Sequence, residues 1–109
     1  MNWKNLFQRK IRLITELPAQ ADLNRFYPVS TSKGPMMAVF AKEGWVFFVN
    51  RCPHAGGTFA EHLGNESEVV CSLHRFRYSL QTGQGATGQG DFLRIYQLIG
   101  TDELVEKGV

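Results

Sequence analysis

The stretch RCPHAGGTFAEHLGNESEVVCSLHRFRY, Arg51 to Tyr78, holds both cysteines of the chain, Cys52 and Cys71, and two of its three histidines, His54 and His74. Each cysteine has a histidine at short range, first as Cys52-x-His54 and then as Cys71-x-x-His74. Two soft thiolates and two imidazoles delivered in pairs suit a tetrahedral metal site, which narrows the candidates to zinc or an iron–sulfur cluster. The rest of the chain reads as a scaffold that holds these two loops against each other.

Working outward, Met36 to Lys42 and Trp45 to Asn50 are β-prone runs joined around Glu43-Gly44, the pattern of a hairpin. Its second arm runs directly into Cys52. After the first loop, Glu68-Val69-Val70 predicts a short strand entering Cys71. Arg75 to Leu80 alternates, with Phe76, Tyr78 and Leu80 on one face and Arg75, Arg77 and Ser79 on the other. Gln81 to Gln84 reads as a turn. A glycine-rich loop to Asp91 then precedes strands at Phe92 to Ile99 and Leu104 to Glu106. Upstream, Ile11 to Leu17 has the two-residue period of a half-buried strand, ended by Pro18. Phe26, Tyr27 and Val29 form the next strand, closed by the turn Ser32-Lys33-Gly34-Pro35. Trp3, Phe40, Trp45, Phe47 and Phe48 are expected in the core. Met1 to Lys10 suits a turn or two of helix, or a tail. No longer helix, repeat or linker is visible, so the expected class is all-β.

At 109 residues the chain is read as one domain, 1–109, with a cluster-binding part at about 51–90. A hydrophobic fraction of 43% with 20% charged residues is ordinary for a globular protein. The net charge of +2 makes no case for nucleic-acid binding. The longest apolar runs, Met36 to Ala41 and Trp45 to Val49, are too short to span a bilayer. No signal peptide is visible, so a cytoplasmic location without membrane attachment is expected. In that compartment two cysteines are more often metal ligands or free thiols than a disulfide.

The sequence resembles the Rieske 2Fe-2S family from roughly Ile11 to the end. The resemblance rests on Cys52-Pro53-His54, Gly57, Leu63-Gly64, Cys71-Ser72-Leu73-His74, the aromatic pair Phe76 and Tyr78, and Thr82-Gly83. It implies an antiparallel β-sandwich in which two ligand loops form a small subdomain around one 2Fe-2S cluster. Cys52 and Cys71 would then hold the inner iron, and His54 and His74 the outer one. Two sulfides and two thiolates balance two ferric ions, so the oxidised core is neutral, whereas an all-cysteine core is doubly negative. Adding an electron to a neutral core costs less, which raises the potential into the range of roughly −150 to +300 mV. The electron is expected on the histidine iron at the solvent edge. Loss of imidazole protons there should lower the potential at the alkaline end.

Hydrogen bonds to the sulfurs set the position within that range. High-potential members carry a serine where this chain has Phe76 and a tyrosine where it has Tyr78. Respiratory members also have a clamp disulfide at the positions of Gly57 and Leu73. The expectation is therefore a low-to-middle potential with a tyrosine bond to a ligand sulfur, as in soluble Rieske-type ferredoxins. Three positions depart from the family pattern. Arg75 replaces a glycine, Ala55 an arginine, and Gly83 to Gly90 lacks the usual proline.

Other readings stand beside these. Zinc is the alternative metal for the same four ligands, and a Cys52–Cys71 disulfide would leave the histidines unexplained. His62 lacks a cysteine partner and reads as a surface residue. Gly83-Gln84-Gly85-Ala86-Thr87-Gly88 matches a dinucleotide fingerprint only formally, because no helix is expected after it. Arg51, Arg75 and Arg77 are either solvated arginines or a basic rim for an acidic redox partner. No catalytic constellation is visible outside the ligands. The function implied is one-electron transfer between a reductase and a terminal enzyme such as an oxygenase. The alternatives are a small subunit of a larger redox enzyme, of the nitrite reductase type, and a redox-sensing binding module.

Overall fold

The computed structural model describes residues 11–42, 44–53, 57–59, 68–73, 75–85 and 92–107. These form β1 (Ile11–Arg12), β2 (Phe26–Thr31), β3 (Gly34–Ala41), β4 (Gly44–Phe48), β5 (Glu68–Val70), β6 (Arg77–Ser79), β7 (Tyr96–Ile99) and β8 (Glu103–Glu106). The fold is all-β, with no helix among the described residues. Six strands make one antiparallel sheet in the order β1-β8-β7-β4-β3-β2, and β5 and β6 make a second, two-stranded one. The larger sheet curls until its edges meet: Leu13 bridges Thr31, and Ser32 N donates to Arg12 O at 2.8 Å.

The hairpin expected around Glu43-Gly44 is present, with Ala41 opposite Gly44 and Phe40 opposite Trp45. Its strands are apolar at nearly every position because both faces are covered. Met36, Ala38 and Phe47 face Ile11, Leu13, Val29 and Leu104 inside the curl. Val39, Val46 and Phe48 face outward, yet they are buried against Cys52, Phe59, Val69, Cys71 and Tyr78 of the ligand-loop region. Thus β4 is the shared wall of two cores.

Several expectations shorten or shift. Ile11 and Leu13 are buried as the alternation predicts, but β1 ends at Arg12. Farther on, the Thr15 hydroxyl accepts from Ser30 N at 2.7 Å, so a side chain takes over what a strand ladder would do. Phe92 is 57% exposed and only bridges Gln84, while Leu93 and Ile95 are buried and β7 starts at Tyr96. Phe47 and Phe48 lie in the cores, whereas Phe40 and Trp45 are half-buried and pack on each other, ring centroids 5.2 Å apart, near the hairpin end. Trp3 and the rest of Met1 to Lys10 lie outside the described residues.

Candidate metal centre

After Phe48 the sheet pairing stops, and Arg51 N donates back to Val49 O at 2.7 Å, turning the chain into the first ligand loop. Cys52 N then donates to Gly57 O at 2.6 Å, closing that loop on its first cysteine. Asn50 anchors the far end, its Oδ1 accepting from Phe59 N at 2.8 Å. The second loop closes the same way. Cys71 N donates to Phe76 O at 2.8 Å, and Arg75 N donates to Cys71 O at 2.9 Å. To complete that tight turn Arg75 takes φ +57°, a left-handed conformation normally left to glycine. The position where the resemblance leads one to expect glycine therefore keeps glycine's backbone shape with an arginine in place.

The two loops are joined directly. Phe59 bridges Cys71, and Thr58 O accepts from both Ser72 N (3.0 Å) and Ser72 Oγ (2.8 Å). Gly57 lies under Leu73, where a Cβ would come 2.7 Å from Leu73 Cγ and 2.8 Å from Cδ1. A side chain at 57 would have to displace the Leu73 side chain. Gly57 and Leu73, one from each loop, thus lie against each other.

Beneath the loops, Cys52 and Cys71 are buried (1% and 0% exposed) and both are free thiols, so the disulfide reading does not hold. The Tyr78 hydroxyl lies 3.7 Å from Cys52 Sγ. Tyr78 is itself fully buried, edge-on to Phe59, which is edge-on to Phe48. Phe76 is half-buried against the same core. Behind this, Gly83 (φ +78°) accepts from Leu93 N at 2.6 Å, and a Cβ there would collide with Leu93 O. The formal dinucleotide fingerprint therefore starts in bridged β-like chain, with Gln84 opposite Phe92 and Gly85 opposite Tyr78.

Of the residues singled out from sequence, Cys52, Cys71, Gly57, Phe76 and Tyr78 are brought together around the two thiols. His54, His74 and His62 lie outside the described residues. Arg51 and Arg75 are exposed, but Arg77 pairs with Glu68 at 3.7 Å across the β5–β6 ladder. Asn50, Thr58 and Ser72, which stitch the loops, were not anticipated. Short polar side chains at loop ends are a general signal for such bonds, but their partners are set by the tertiary fold.

The family model for the Rieske [2Fe-2S] domain matches residues 14–91. No curated protein matches the chain. A Rieske domain binds a 2Fe-2S cluster, and the described residues fit one. Two buried cysteines on adjoining loops, neither in a disulfide and one with a hydroxyl near its sulfur, are a soft donor set of the kind an iron–sulfur cluster takes. No helix among the described residues is long and apolar enough to cross a membrane.

Proposed function

This chain belongs to the Rieske 2Fe-2S family, and from that premise we propose that it is a one-electron carrier working between a reductase and a terminal enzyme such as an oxygenase. Cys52 and Cys71 would hold one iron of the cluster, and His54 and His74 the other. The observation that carries this reading is the pair of buried free cysteines on two loops that the Thr58–Ser72 bonds and the Phe59–Cys71 bridge lock together. When bound, the cluster supplies a site that gains and loses one electron.

The chain's own residues set the conditions. Phe59, Val69 and Tyr78 wall the cysteines off from water on the core side, and Leu73 over Gly57 closes the gap between the loops. With the cluster bound, Cys52 Sγ would be a thiolate that can only accept, so the Tyr78 hydroxyl 3.7 Å away would donate to it and favour the more negative reduced state. Phe76 offers no hydroxyl where a second such donor could stand. One donor in place of two favours the lower part of the family range.

The test is electron paramagnetic resonance at low temperature on anaerobically purified, dithionite-reduced protein. A rhombic signal with an average g value below that of all-cysteine ferredoxins is expected. A silent spectrum from fully metallated protein that contains zinc would overturn the reading. Replacing His54 or His74 with alanine should abolish the signal, and His62→Ala should leave it.

A further inference from the structure

Among the described residues two non-glycine residues have positive φ, Asn24 at +65° and Arg75 at +57°. Asparagine tolerates this region because its short side chain bonds locally; arginine has no such compensation. The one hydrogen bond of the turn, Arg75 N to Cys71 O, is made by the backbone amide, which glycine would supply equally. Neither the turn nor its bond accounts for an arginine. Only the side chain is left, and it is exposed and adjacent in sequence to His74. A backbone conformation held against strain beside a functional loop points to a role for the group it carries.

The charge of Arg75 also differs in its surroundings from that of three other arginines. Arg77 faces Glu68 at 3.7 Å, Arg12 faces Asp102 at 3.5 Å and Arg25 faces Asp22 at 3.4 Å. Among the described residues none forms an ion pair with Arg75. An exposed cation projects its field into solvent over about a Debye length, roughly 10 Å at 0.1 M salt.

We propose that Arg75 is the steering residue of the electron-exchange edge, drawing in a redox partner with an acidic surface. This rests on the electron-carrier reading above. It narrows the basic rim of Arg51, Arg75 and Arg77 to the one position whose backbone is strained to present it.

Two small oxidants of equal and opposite charge test this without a known partner. Ferricyanide takes one electron from the reduced protein and becomes ferrocyanide; tris(phenanthroline)cobalt(III) takes one electron and becomes cobalt(II). At low ionic strength, Arg75→Gln should slow oxidation by ferricyanide several-fold and speed oxidation by the cobalt complex. Both changes should fade in 1 M salt, and Arg75→Lys should retain the wild-type ratio. Lys42→Gln removes the same charge at the far end of β4 from Cys52 and should move the ratio much less.

Arg75→Gly and Arg75→Ala separate charge from backbone. Both should show the same change in rate ratio, but the glycine variant should melt higher than the alanine variant. If Arg75→Gln shifts the ratio no more than Lys42→Gln, the steering role is overturned. If alanine melts as high as glycine, the strain argument is overturned. A wild-type protein that exchanges electrons with neither oxidant would overturn the carrier reading itself, an outcome distinct from either.

Discussion

The curled sheet and the ligand-loop region share a wall, yet they are held together differently. In the sheet, Val46, Phe47 and Phe48 of β4 are 3%, 0% and 0% exposed, with packed side chains on both faces and ladders to β3 and β7. Among the described residues the ligand-loop region has two strands, β5 and β6, and its two loops are joined to each other by single hydrogen bonds and an isolated bridge. Burial of apolar surface stabilises the first without reference to any ligand. The second is small and places two thiols in its interior, so bound metal must contribute to its order. The scaffold can therefore be rigid while the redox site remains tunable by single contacts.

The largest effects should come from the shared wall. Phe48→Ala removes a ring that touches Phe26 and Phe59, and should cost about 3–5 kcal/mol in denaturant unfolding, lowering the stability of sheet and loops together. If only the loops were lost, the wall would not be shared. Removing the cluster by chelation under reducing conditions should give the opposite pattern. Amides of β3 and β4 should stay protected from hydrogen exchange while those of β5 and β6 become fast; equal loss in both would make the two regions one folding unit.

Gly57→Ala acts within the loop region alone. Leu73 is 59% exposed and can swing away, so the cost should be about 1–2 kcal/mol, at the mild end of overpacking. Faster cluster loss on dilution into chelator would register the opened seam. Tyr78→Phe keeps the ring and removes the hydroxyl near Cys52 Sγ. One hydrogen bond of about 1 kcal/mol corresponds to a potential lower by roughly 40 mV in a one-electron couple. An unchanged potential in a redox titration would show that the hydroxyl does not act on the cluster. Arg12→Ala, far smaller, breaks an exposed pair with Asp102 and should change stability by less than about 0.5 kcal/mol.

Legibility in the sequence followed the same division. Alternation at Ile11 and Leu13, and at Tyr78 and Leu80, gave their buried faces correctly, and the β3–β4 hairpin lies where the β-prone runs put it. Strand ends were harder. At Thr15 a hydroxyl replaces the ladder, and at Phe92 an apolar residue stays on the surface. Phe40 and Trp45 read as core from hydrophobicity, but their position near the hairpin tip leaves them half-covered. Periodicity reports which face a residue occupies, not whether another element arrives to cover that face.

The all-β class, the family and the pairing of two cysteines on two loops were readable from residue types and spacing, because metal chemistry and strand period are local properties. The abutment of Gly57 and Leu73, the Asn50–Phe59 and Thr58–Ser72 bonds, and the hydroxyl at Cys52 depend on how two loops far apart in the chain are brought face to face. So does the cost of Arg75, whose residue type reveals nothing until the turn around it demands a left-handed backbone. Spacing along the chain specifies which donors are available; only the packing of β4 against the loop region decides what surrounds them.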